Sequence, residues 1–167
     1  MHILLVLTII DWKNKGDIIK IMTVLYFMSK SIKKILVPFD NSPNAKRALT
    51  HAITIAKLSG GSITLIHVIS YQSAMAKIIQ PYQGKIISHV KKFMKDAKHT
   101  AFKEGILSNQ KISYGSPSQE ILDYTKAKNF DLIVMGRRGT TKLTGPSIGS
   151  VSNALIQSSK IPVLVVS

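Results

Sequence analysis

From Lys33 onward two kinds of apolar pattern alternate along the chain. Short runs that are apolar at nearly every position and rich in β-branched residues, such as Asp131-Leu132-Ile133-Val134-Met135, suit strands covered on both faces, which a parallel sheet requires. Between them apolar residues recur at helical spacing. Ala45, Ala48, Leu49, Ala52, Ile55 and Ala56 form one stripe, and Val90, Met94, Ala97 and Ala101 form another. The pattern predicts strands at 34–39, 62–69, 109–114, 131–135 and 161–166, with helices at 43–59, about 82–106, 117–128 and 149–159. Such alternation implies an α/β domain, an open parallel sheet with helices on both faces.

Punctuation supports several of these boundaries. Asn41 or Ser42 can cap the first helix, Pro43 suits its first position, and Gly60-Gly61 ends it. The stretch 70–81 reads as a long irregular connection at the mouth of any site above the strands. Pro162, near the start of an apolar last strand, fits a sheet edge.

The first 27 residues stand outside this alternation. Residues 3–10 are apolar but too short to cross a bilayer, and the charged start and small-residue cleavage site of a secretory signal are missing. Residues 18–28 form a second apolar run, interrupted by Lys20. This segment could add a strand, lie on a membrane surface or form an upstream extension that is never translated. The last, or a poorly ordered arm, is favoured, with the folded domain at 28–167 and a cytoplasmic location.

Composition narrows the chemistry. A chain of 167 residues suits one domain. With no cysteine there is neither a disulfide nor a thiolate metal site, and the five histidines show no ligand spacing. Of 23 basic residues all but Arg47, Arg137 and Arg138 are lysines, and only eight acids oppose them, for a net charge of +15. That balance favours anionic partners in general. Lys91, Lys95 and Lys98 share one helix face, yet nothing resembles an arginine-rich recognition helix or paired strand aromatics.

The segment Gly136-Arg137-Arg138-Gly139, followed after nine residues by Gly149-Ser150, holds the candidate site. It lies between a strand and a helix start, where glycines admit close backbone approach and first-turn N–H groups attract phosphate. Its spacing is neither that of the P-loop nor that of the dinucleotide fingerprint. A loop with a serine N-cap is the plain structural alternative. Asp40 could likewise brace the turn before Pro43. His67 suits a hydrogen-bonded strand end better than a catalyst, and Arg137, Arg138 and Lys142 could be solvated charges or a phosphate clamp.

Taken with Lys34-Ile35-Leu36-Val37-Pro38-Phe39-Asp40-Asn41-Ser42, Leu65-Ile66-His67-Val68 and the closing Ser159-Lys160-Ile161-Pro162-Val163-Leu164-Val165-Val166, the Gly-x2-Gly-x9-Gly-Ser pattern resembles the ATP-binding branch of the universal stress protein family over about residues 31–167. The resemblance implies a Rossmann-like sheet of five strands in the order 3-2-1-4-5, related to the adenine nucleotide α-hydrolases. It also implies a site: Gly136, Arg137, Gly139, Gly149, Ser150, Val151 and Ser152 at the phosphates, Val68 pairing its backbone with the adenine edge, and Pro38 and Met135 beside base and ribose. Asp40 would contact the nucleoside or, indirectly, a Mg2+ or Mn2+ ion carried by the phosphates. The ligand implied is ATP, or AMP or ADP, and two copies would meet through strand 161–166 as a homodimer.

The expected function is that of a nucleotide-responsive regulatory module in stress response, a binding protein before an enzyme. Two alternatives stay open: a slow ATPase or autophosphorylating enzyme with Ser150 as acceptor, and a nucleic-acid or membrane-surface protein acting through the basic helix face 85–103.

Overall fold

The computed structural model describes residues 32–70, 83–140 and 147–167. Strands and helices alternate throughout them: β1 (Lys34–Pro38), α1 (Pro43–Ser59), β2 (Ser62–Ile69), α2 (Gln83–Lys103), β3 (Ser108–Tyr114), α3 (Pro117–Lys128), β4 (Leu132–Gly136), α4 (Ser150–Ser158) and β5 (Val163–Val166). All pairings are parallel and the order is β3-β2-β1-β4-β5. The chain winds one way from β1 to β3 and the other way from β4 to β5, so the reversal falls between β1 and β4. Residues 1–27, the connection 71–81 and Lys142 lie outside the described residues, as do the expectations attached to them.

Side-chain alternation along each strand divides the core between the two faces of the sheet. Ile35, Val37, Leu132 and Val134 pack with Ala48, Leu49, Ala52, Phe93 and Met94 of α1 and α2. Leu36, Ile133 and Met135 point the other way, to Ile121 of α3 and Leu155 of α4. Full burial of such a side chain contributes about 1.5–3 kcal/mol, so the sheet fixes where the strand ends lie. At its amino end one carboxylate oxygen of Asp131 accepts from both Lys33 N and Lys34 N at 2.8 Å, aligning β1 with β4.

Boundaries differ from the sequence pattern for local reasons. The second helix stops at Lys103 because Gly105, at φ 76°, breaks it and Ile106 N turns back to Ala101 O at 3.0 Å. β4 runs one residue further, since Gly136 still pairs with Val166. β5 starts late: Pro162 has no N–H to give and joins only as an acceptor, its oxygen taking Ile133 N at 3.0 Å. In α1 the cap is Ser42, whose Oγ accepts from Ala45 N at 3.2 Å, while Asn41 turns the chain at φ 65°. The alanines at 45, 48, 52 and 56 are almost fully buried, and their small side chains let this helix sit close to the sheet. Among the described residues no helix is long and apolar enough to cross a membrane.

Candidate functional site

Above the β1/β4 reversal, where open parallel sheets hold their ligands, the strand ends enclose a cleft of about 490 Å³. One wall is the end of β1 and the start of α1. The opposite wall is the first turn of α4, with Met135, Gly136, Arg138, Gly139 and Thr140 between them and Ile66, His67, Val68 and Ser70 of β2 at the back. Pro38, Asp40, Val68, Met135, Gly136, Gly139, Gly149, Ser150, Val151 and Ser152, all singled out in the sequence, line this one space. A smaller hollow of about 340 Å³, between the far ends of α3 and α4, contains none of them.

Arg137 is placed differently from the expectation. Its main chain continues the sheet, the N–H donating to Val166 O at 2.7 Å and the carbonyl accepting from Gly149 N at 3.0 Å. The arginine on the wall is Arg138, whose Nε donates to Ser147 O at 2.6 Å across the glycine segment. The cleft also includes Pro117 and Ile121 from α3, a helix the glycine motif does not reveal. Only the strand order brings that helix over the β2 end.

The glycines meet three distinct demands. A Cβ on Gly136 would lie 2.7 Å from Asn44 Cβ and 2.8 Å from Asn44 C, so glycine there lets β4 end against the start of α1. On Gly139 it would lie 2.5 Å from Asp40 Oδ2. Gly149 is under no such pressure: it caps α4 at φ −66°, and its added Cβ would make ordinary contacts at 3.4 Å with Arg137 O and Arg138 Cα. The α4 cap is therefore Gly149, with Ser150 the first helical residue, rather than a serine.

Asp40 is both a brace and a wall residue. Oδ1 accepts from Ser42 N at 3.0 Å and Oδ2 from Thr140 N at 3.0 Å, so its carboxylate ties the β1–α1 turn to the glycine segment. His67 Nδ1 lies 2.7 Å from Phe39 O, a pairing that needs the proton on Nδ1, and its ring meets Phe93 edge-on. It is held as a strand-end residue. Ser152, expected to offer a main-chain amide, also uses its hydroxyl inside the protein, donating to Gly136 O at 3.0 Å.

What remains available is the start of α4. Its first intrahelical bond runs from Asn153 N to Gly149 O at 2.9 Å, so the N–H groups of Ser150, Val151 and Ser152 precede the helical ladder and carry its positive end. The Ser150 side chain is exposed beside them. This is an anion-accepting turn facing an apolar slot of Pro38, Ile66, Val68 and Met135. Among the described residues no three acidic or histidine side chains gather as a metal site, and Asp40 is the one carboxylate residue among those lining the cleft.

Known proteins agree with this architecture. The model of the universal stress protein family matches residues 31–167. Universal stress protein YxiE of Bacillus subtilis is 32% identical over 144 residues, spanning 80% of this chain and 97% of its own. The structure of MJ0577, a universal stress protein of Methanocaldococcus jannaschii, superposes with a TM-score of 0.72 at 32% identity, covering 80% of this chain and 94% of that one. A universal stress protein from Archaeoglobus fulgidus in complex with dAMP shares the fold at 20% identity, with a TM-score of 0.63 and coverage of 81% and 98%. The chain belongs to the universal stress protein family.

Proposed function

We propose that this chain is an adenine-nucleotide-binding regulatory module of the stress response, acting in the cytoplasm, with phosphates on the first turn of α4 and the base between Pro38, Val68 and Met135. One observation carries this: the protein's own packing accounts for glycine at 136 and 139 but not at 149, where the chain nonetheless keeps a bare backbone beside helix-start amides that have no partner among the described residues. A ligand that approaches the backbone there and carries negative charge explains both features. Ser150 and Arg138 supply further donors. The Archaeoglobus protein's dAMP shows that the fold can take an adenine nucleotide. The residues of the present cleft carry that reading to this chain. Mg2+ or Mn2+ would arrive with the phosphates. Acid extraction of purified protein followed by chromatography, with calorimetric titration of ATP, is the test. Neither bound nucleotide nor ATP heat would overturn it.

Assembly through β5 belongs to the same proposal. That strand pairs only with β4 among the described residues, and its free edge is apolar. Val163 and Val165 pack on the α3/α4 core, leaving Leu164, 37% exposed, as the side chain to alter. Leu164→Lys should shift a dimer toward monomer in light scattering across a dilution series. An unchanged mass would exclude this edge. The domain is proposed to span 28–167, so a chain lacking 1–27 should melt cooperatively.

A further inference from the structure

Asn44 and Arg47 lie one turn apart on α1 and neither lines the cleft. Asn44 Nδ2 donates to the main-chain oxygen of Arg138 at 3.2 Å. Its other end is fixed as well, because Arg47 Nη2 donates to Asn44 Oδ1 while Arg47 Nε donates to the main-chain oxygen of Ser167 at 2.9 Å. A guanidinium has only donors, so it forces the amide oxygen toward itself and the NH2 toward Arg138. The amide's orientation is thereby set by chemistry rather than by choice. Asn44 cannot retreat, since its Cβ and carbonyl carbon stand under 3 Å from where a Cβ of Gly136 would be, in close packing with the end of β4.

The end of β5 therefore grips the glycine segment at two successive residues. Val166 O takes Arg137 N directly at 2.7 Å, and Ser167 O reaches Arg138 O through Arg47 and Asn44. Fixing the peptide units on either side of the Arg137–Arg138 peptide sets the direction in which the backbone leaves toward Gly139 and Thr140. We propose that Asn44 and Arg47 are positioning residues of this segment and that they couple the end of β5 to the anion-binding turn. The effect on ligand affinity rests on the nucleotide reading above; the effect on the segment does not.

The discriminating variant is Asn44→Asp, which keeps an acceptor for Arg47 but has no donor for Arg138. Two measurements on the full chain decide the matter. In the ligand-free protein, hydrogen–deuterium exchange of peptides covering 136–140 should speed up about tenfold, the scale of one lost hydrogen bond, with exchange in β2 unchanged. By calorimetry, ATP affinity should fall by about the same factor while adenosine affinity holds. Arg47→Met should act in the same direction, and Arg47→Lys, which can make one of the two bonds, should restore part of the loss. Unchanged exchange in Asn44→Asp, or equal losses for ATP and adenosine, would overturn the proposal. If the wild-type chain binds no ATP, faster exchange still upholds the positioning role, and only the nucleotide reading fails.

Discussion

On the β1–α1 side of the cleft the fold uses nearly every group that the site displays. Asp40 spends both oxygens on Ser42 N and Thr140 N, Gly136 gives room to Asn44, and Gly139 gives room to Asp40. Across the cleft, at the start of α4, the fold asks much less. Among the described residues only Ser152 commits its side chain there, while Gly149 and Ser150 show no contact that another small residue could not make. Residues of the first wall shape the cleft because they are needed to build it. Residues of the second are the ones that can report on the proposed ligand, because no contact among the described residues accounts for them. The distinction also decides which variants can report on binding at all.

The largest effect should come from Gly136→Val. Its new side chain would overlap Asn44 backbone and Cβ atoms that are themselves packed on the sheet, so the loss of stability should reach the upper end of the about 1–3 kcal/mol that overpacking costs. Urea unfolding measures it. A wild-type midpoint would erase the difference between the walls.

Next come the two glycines that flank the proposed phosphate site. Gly139→Val drives a methyl into the Asp40 carboxylate, and should weaken both stability and every ligand, by about 1–3 kcal/mol in stability. It cannot separate phosphate binding from folding. Gly149→Ala can: its Cβ meets only ordinary contacts at a negative φ, so stability should fall by no more than the about 1 kcal/mol that an N-cap change costs, while ATP affinity drops and adenosine affinity does not. Equal binding of ATP by wild type and Gly149→Ala would remove this position from the phosphate site.

The two serines of α4 repeat the contrast on a smaller scale. Ser152→Ala removes the buried bond to Gly136 O and should cost about 1 kcal/mol of stability, affecting ATP and adenosine alike. Ser150→Ala should leave the melting temperature unchanged and weaken ATP alone, by a hydrogen bond to a charged group, about 1.5–3 kcal/mol at most. Melting curves and paired titrations distinguish them, and a swap of the two patterns would show that the walls have been assigned backwards.

Much of this is legible in the amino-acid sequence. The central strands β1 and β4 announce themselves because they are buried on both faces, which leaves continuous apolar runs, and the glycine spacing points at the end of β4, while the edge strand β3 is polar and largely exposed. Strand order came through family likeness, since periodicity says nothing about which strands adjoin. What stayed hidden depends on single-residue register. Arg137 or Arg138 faces the cleft according to whether β4 pairs once more with β5, which it does at Gly136. Ser152 rather than Ser150 turns inward because Gly149 caps the helix. The Asn44 link to Arg138 spans 94 positions and needs the packed α1 to exist.

The smallest effect lies at the opposite end of the molecule and serves as a control for both walls. Lys57 Nζ meets Glu104 Oε2 at 2.5 Å, joining the ends of α1 and α2 with both side chains about half exposed. The lysine's hydrogen bond, and then its charge, hold the Glu104 carboxyl below the usual carboxylate range. A carboxyl depressed in the folded state binds protons more readily when unfolded. It therefore adds stability above the ordinary carboxylate pKa and loses that contribution as pH falls through the lowered value. Glu104→Gln should thus be slightly less stable than wild type above about pH 5, with the gap closing in acid and shrinking in high salt, because the pair is solvent-screened. Thermal melts across pH and salt measure the gap. ATP affinity should be the same in both proteins at every pH, since no wall of the cleft touches this pair. A pH-independent gap would mean that packing rather than charge joins these helix ends, and an altered ATP affinity would mean that even this distant end of the fold is committed to the cleft.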